Sequence, residues 1–164
     1  MIIILGIKCC GFTGHRKLPK DKIEYVRCSL RSELLLAVMD GYTNFLVGFA
    51  DGADLEFAEI IIKAKAVIPN ITIEAVLPFE ERLDDSDIKF QELIKKCDKV
   101  TIISEKNNKK NYLLRNQAIV MQSGRLIAVF NGSKRTGTAQ TIRIAGENKL
   151  EIKLIDIKNR GKIL

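Results

Sequence analysis

The chain reads as an α/β protein, a single doubly wound domain with a mainly parallel sheet and helices on both faces. Three observations predict this. Short apolar runs alternate with helical patterns from one end of the sequence to the other. Turn-forming residues follow each run. A length of 164 residues, 46% of them apolar, suits one domain with a sizeable core.

Residues 3–12 form an apolar run that reads as a first strand, broken by Thr13-Gly14-His15-Arg16. Ile23, Val26, Leu30, Leu34 and Val38 then recur at spacings of three and four, the stripe of one helix face. Asp40-Gly41 ends that helix, with Gly41 at C′. Residues 44–48 make a short strand. Asp51 reads as the N-cap of a second helix that runs to about Val67, with Asp54 in its first turn. Pro69-Asn70 turns the chain into a strand at 71–77, which Pro78 stops. A helix over 84–97 carries Phe90, Leu93, Ile94 and Cys97 on one face, and a strand at 100–103 is apolar on both sides. Residues 105–111 are the one strongly polar stretch and read as a mobile loop. A helix at 112–123, closed by Gly124, precedes a strand at 126–130. A Gly-containing loop at 131–137 leads to a helix at 138–146, a last strand at 150–157 and a frayed basic tail at 158–164. No linker, repeat or low-complexity tract divides residues 1–157, so they form one domain followed by the tail.

The formal charge is +7, from 27 Lys and Arg against 20 Asp and Glu, and it is uneven. Residues 99–164 hold 14 basic and four acidic side chains, whereas residues 1–98 hold 13 and 16. This surplus points to a phosphate-bearing partner, either a nucleotide or a nucleic acid. The longest apolar stretch, residues 1–7, falls far short of the ~20 residues of a membrane span. It also lacks the basic lead and small-residue cleavage site of a signal peptide, so the expectation is a cytoplasmic protein with no membrane partner. Cys9, Cys10, Cys28 and Cys97 form no C-x-x-C, and His15 is the only histidine. These are too few well-spaced ligands for a structural zinc site, and the thiols are expected to be reduced and mostly buried. No metal is implied, and no cofactor beyond a nucleotide ligand.

In a doubly wound sheet ligands bind beyond the carboxyl ends of the strands, so the informative residues follow each strand. Thr13-Gly14-His15-Arg16 supplies a tight turn, two donors and a guanidinium fork; it also serves as a plain loop before a helix. Gly48 and Gly52 flank the next strand-to-helix turn. The carboxylates of Asp51 and Asp54 disfavour a naked phosphate there and suit a ribose hydroxyl or a helix cap. Glu80 follows the third strand, and Arg115-Asn116 lies on the helix after the fourth; a loop position and a solvated helix face are their ordinary uses. Residues 131–138, N-G-S-K-R-T-G-T, are the strongest local signal. Backbone amides, the Thr136 and Thr138 hydroxyls and the Lys134 and Arg135 charges can converge on one phosphate at a helix start. Neither G-x-G-x-x-G nor a P-loop is present.

These motifs, in this order, resemble the YpsA-like family of the SLOG superfamily, which joins the Smf/DprA proteins with the Lonely-guy (LOG) phosphoribohydrolases. The resemblance spans residues 5–157. It rests on Thr13-Gly14-His15-Arg16, Gly48 through Gly52-Ala53-Asp54, Leu77-Pro78-Phe79-Glu80, Arg115-Asn116 and Gly137-Thr138. It implies a Rossmann-like domain that binds a nucleotide or nucleotide-derived ligand over the strand ends. Gly137-Thr138 matches the G-T of the superfamily's P-G-G-x-G-T phosphate loop, and Arg115 matches the arginine near the ribose phosphate in LOG enzymes. Two departures stand out. The P-G-G is missing, and the LOG glutamate position is Thr141. A Thr hydroxyl neither activates water nor stabilises an oxocarbenium-like state well, so Glu80 or Asp54 would have to substitute.

Three functions follow in order of preference. The first is a binding or sensing domain for a nucleoside monophosphate or an ADP-ribose-like molecule. Thr136, Gly137, Thr138 and Arg115 would hold the phosphate, and Thr13 to Arg16, Gly48, Gly52, Asp54 and Asn116 would line the rest. The second is a LOG-like hydrolase of N-glycosidic bonds, with Arg115 clamping the phosphate and Glu80 or Asp54 as acid/base. The third is DprA-like nucleic-acid binding, for which an aromatic content of 6% with no Trp supplies few stacking platforms. A homodimer suits a fold of this kind.

Overall fold

The computed structural model describes residues 6–160. Six strands form one parallel sheet: β1 (Cys9–Gly14), β2 (Asn44–Val47), β3 (Thr72–Leu77), β4 (Lys99–Ile102), β5 (Arg125–Phe130) and β6 (Glu151–Asp156). Their spatial order is β4-β3-β2-β1-β5-β6. Among the described residues the helices are α1 (Ile23–Met39), α2 (Ala53–Ala64), α3 (Ile88–Ile94), α4 (Lys110–Gln122) and α5 (Gly137–Glu147), with 3-10 turns at Lys20–Lys22 and Glu80–Asp84. This is the expected doubly wound α/β architecture.

Strand alternation splits the core between the two faces. Phe45, Val47, Ile73, Ala75 and Leu77 pack with Val26, Leu30 and Leu34 of α1 and Phe57 and Ile61 of α2. Leu46 and Val76 point the other way, onto Ile119 of α4. Leu126 and Ala128 meet Val120 of α4 and Ala145 of α5. Helices α1 to α3 therefore cover one face and α4 and α5 the other. The winding reverses between β1 and β5, which pair directly from Cys10↔Arg125 to Gly14↔Val129.

Several element bounds differ from the sequence reading. The first strand begins at Cys9; residues 6–8 precede it, and residues 3–5 of the expected run lie outside the described residues. The shift follows from register, because Cys9 to Gly11 pair with Asn44 to Leu46 on β2. Thr13 and Gly14 thus belong to the strand, and His15 is the first residue past it. Asp51 is not the cap of α2. Gly52 holds that position with φ 76°, and no side chain caps the helix. Helix α2 ends at Ala64, short of Val67. Helix α3 starts at Ile88, because Asp87 accepts from the Phe90 amide at 2.9 Å. Strand β4 is the sheet's outer edge, which leaves Val100 and Ile102 exposed. Among the thiols Cys10 is buried, Cys9 and Cys97 are half-buried and Cys28 is exposed. The tail is described only to Arg160. No helix among the described residues is long and apolar enough to cross a membrane.

One close approach fixes how α2 meets the switch point. A Cβ on Gly14 would lie 2.4 Å from the Ala53 Cβ, which is tied to the helix backbone and cannot swing aside. Gly14→Ala is therefore expected to lower stability by roughly 1–3 kcal/mol, the usual cost of overpacking a closed contact. A fall of several degrees in Tm checks it; an unchanged Tm contradicts the contact.

Candidate functional site

A cleft of about 330 Å³ opens over the carboxyl ends of β1, β2 and β5. Its wall holds Thr13 and Gly14 at the end of β1, His15 and Arg16 past it, Gly48 and Asp54 past β2, Arg115 and Asn116 on α4, and Thr136, Gly137 and Thr138 at the start of α5. The switch point brings these separated segments together, because neighbouring strands end side by side there.

The loop after β1 is held from two directions. The His15 carbonyl accepts from the Ala53 amide at 3.1 Å. A Cβ on Gly52 would lie 2.3 Å from the Arg16 carbonyl oxygen, so the glycine's positive φ and missing side chain seat that loop. Gly52 thus acts from behind the cleft and is not on its wall. The His15 ring stacks on Phe130, and its Nε2 accepts from the Asn131 amide at 3.0 Å. Burial holds His15 below its ordinary pKa, so the ring is neutral with Nε2 bare.

Arg115 and Asp54 form the buried floor. Arg115 is 6% exposed. It donates to the carbonyls of Gly48 and Val76, and its Nε donates to Asn116 Oδ1 at 2.7 Å. Asp54 is 5% exposed and accepts from the Ala50 amide at 3.0 Å. Burial pushes its carboxyl up to about 6, opposed first by the Arg115 charge. Burial likewise draws Arg115 down from its usual value while Asp54 supports its charge. Gly48 makes this floor possible, since a Cβ there would sit 2.3 Å from Arg115 Nη1 and 3.0 Å from Asp54 Oδ2. Asp54 therefore braces the β2 loop and balances the Arg115 charge through space rather than capping a helix.

At the start of α5 the Thr136 side chain accepts from the Ala139 amide at 3.1 Å. The amides of Gly137 and Thr138 lie in the first turn and have no intrahelical acceptor. The hydroxyls of Thr13 and Thr138 belong to buried residues on the cleft wall and make no hydrogen bond to the described residues. Thr141 is buried, and its hydroxyl donates to the Gly137 carbonyl at 2.8 Å. Glu80 sits exposed in the 3-10 turn after β3, off the cleft wall. Tyr112 is a wall residue that the sequence reading passes over. The signal was present, for it stands one helical turn before Arg115 and so shares its face.

A cleft at the switch point of a parallel sheet, floored by a buried Arg–Asp couple and walled by a helix start, defines a Rossmann-like domain. The chain belongs to the YpsA family: the model of that family, described as the YspA SLOG family, matches residues 6–159. Its curated relatives include a UPF0398 protein of Bacillus thuringiensis, 24% identical over an alignment of 159 residues that covers 89% of this chain and 86% of that one. Another is UPF0398 protein BH1768 of Halalkalibacterium halodurans, 23% identical over 129 residues, or 75% of this chain and 68% of that one. Among solved structures, TM1055 has a TM-score of 0.60 at 16% identity, covering 89% of this chain and 72% of that one. The molybdenum cofactor carrier protein of Chlamydomonas reinhardtii has a TM-score of 0.58 at 18% identity, covering 91% and 76%. At these identities the likeness is one of fold.

Proposed function

We propose that the chain binds a nucleotide or nucleotide derivative in this cleft, a nucleoside monophosphate or an ADP-ribose-like molecule, as a binding or sensing domain. One observation carries the reading: the hydroxyls of Thr13 and Thr138 and two first-turn amides open onto the cleft without a protein partner. Donors gathered at an open helix start, where the helix dipole favours negative charge, are a set that a phosphate satisfies. The phosphate sits on Gly137 and Thr138, and Asp54 accepts from the sugar hydroxyls. Arg115 adds positive potential from below. The fold's likeness to a protein named as a carrier of the molybdenum cofactor supports a small molecule as the occupant.

Calorimetry against AMP, ADP-ribose, NAD and cyclic nucleotides tests this, and binding to none of them rejects it. Gly137→Asp separates binding from folding. A Cβ on Gly137 meets nothing within 4 Å, and a carboxylate in the first turn favours the helix. The variant is expected to keep its Tm and lose nucleotide affinity by about tenfold or more, as a charge repelling the phosphate dictates. Equal affinity would place the phosphate elsewhere.

Hydrolysis of an N-glycosidic bond is the second reading, favoured by one group: Asp54, whose carboxyl titrates near neutrality inside the cleft. Release of free base from nucleoside monophosphates above the buffer rate is its test.

A further inference from the structure

We propose that the ligand carries a second anionic group, seated on Arg16 on the far side of the sugar from the first phosphate. The proposal rests on the nucleotide reading above and narrows it to nucleotides with two separated anions.

A smaller pocket of about 40 Å³ opens beside the main cleft. It shares Arg16, Gly48, Tyr112 and Arg115 with the cleft and reaches Pro78 and Arg82 past the end of β3. Three guanidiniums converge there, and their commitments differ. Arg115 is spent on the Gly48 and Val76 carbonyls and on Asn116. Arg82 is tied to Asp85 and to the Phe49 carbonyl at 3.2 Å. Arg16 makes no ion pair and no side-chain hydrogen bond among the described residues. Its guanidinium lies over the Tyr112 ring, 5.1 Å from the centroid. Its backbone is fixed, with the carbonyl packed against Gly52 and the preceding carbonyl bonded to Ala53. A guanidinium held on an aromatic ring with its fork unspent suits a planar or tetrahedral anion. The one carboxylate on this wall is Asp51, which is exposed.

The sheet order sets the spacing. The α5 start stands over β5 and β1, whereas the smaller pocket stands over β2 and β3. Two strand spacings separate them, about 10 Å. Asp54 lies between, under the position the sugar takes. A nucleoside 3′,5′-bisphosphate places its anions on opposite sides of a ribose, and the long Arg16 side chain, which lines both the cleft and the smaller pocket, covers the remaining distance. The adjacent phosphates of a nucleoside diphosphate do not fit this layout.

Calorimetry with AMP, ADP and adenosine 3′,5′-bisphosphate, on the wild type and on Arg16→Ala, tests the proposal. Arg16 is exposed, so its removal leaves the fold intact. The bisphosphate is expected to bind the wild type at least tenfold more tightly than AMP, the effect of one charge-assisted contact. The ratio is expected to fall toward one in Arg16→Ala. ADP is expected to stay within about threefold of AMP, because its second phosphate cannot cross the ribose to Arg16. Equal affinities for AMP and the bisphosphate, a ratio that survives Arg16→Ala, or the full gain appearing with ADP each overturns the second seat and leaves nucleotide binding standing. If neither AMP nor the bisphosphate binds, the second seat falls, and the wider panel of ADP-ribose, NAD and cyclic nucleotides decides the nucleotide reading by itself.

Discussion

Arg115→Met is expected to destabilise the protein by about 2–5 kcal/mol, because buried backbone carbonyls lose a charged donor and the nearby Asp54 carboxylate loses its largest source of positive potential. The methionine fills the volume of the side chain and removes everything else. The Gly48 and Val76 carbonyls lose their donor, and Asn116 loses the Nε contact. Asp54 keeps only the Ala50 amide and the more distant Arg16 charge. Its carboxyl, already raised to about 6 by burial, has lost the cation that most opposed that rise. The loss should therefore be larger at pH 8, where Asp54 is ionised, than at pH 5. Adding Asp54→Asn removes the orphaned charge, so the double variant should recover part of the loss, a coupling of roughly 1 kcal/mol or more. Urea unfolding of the four proteins at both pH values measures this. Strict additivity of the two substitutions would show that Arg115 and Asp54 do not sense one another.

The fold is legible because apolar periodicity switches cleanly between strand and helix, and that periodicity fixes the layers before any contact is known. The wall of the cleft is legible for a related reason. In a doubly wound sheet the residue after a strand has its place assigned by topology, so Thr13 to Arg16, Gly48 and Gly137-Thr138 can be named without coordinates. What stays hidden depends on packing between distant segments. Asp51 and Asp54 both look like caps in one dimension, yet the turn of Gly52 leaves the helix uncapped and sends the Asp54 carboxylate back to the Ala50 amide. Glu80 follows a strand as the other wall residues do, but the 3-10 turn at Glu80–Asp84 carries it into solvent. The exposure of Val100 and Ile102 depends on β4 being an edge, which only the sheet order reveals. The basic surplus of the C-terminal part also divides. Arg115 lies in the cleft floor, and Arg125 is buried with its guanidinium paired to the exposed carboxylates of Asp40 and Glu151, so two of those charges are structural in place.

Raising the pH from about 3 to 7 is expected to cost the folded protein about 3 kcal/mol through Asp54 alone. Its carboxyl titrates near 3.8 in the ordinary state and at about 6 when folded. Between those values the native state holds a proton that the unfolded chain has released, so stability falls as pH rises. Each pH unit between the two values contributes about 1.36 kcal/mol, and the fall is complete above the folded value. Asp85, Glu59 and Asp98 lie below their ordinary range and gain stability as pH rises through the acid range, so the raw pH profile mixes both signs. The difference between wild type and Asp54→Asn isolates the one group. It should drop by about 3 kcal/mol from about pH 3 to pH 7 and then level. A flat difference would mean that Asp54 ionises as an ordinary carboxylate. The ionised, buried carboxylate is thus a strained acceptor at neutral pH, and sugar hydroxyls donating to it would relieve the strain. AMP should accordingly raise Tm more than its 2′-deoxy counterpart in the wild type, and the two should converge in Asp54→Asn. Equal rises in the wild type would remove the sugar from Asp54 while leaving the phosphate at Gly137 and Thr138.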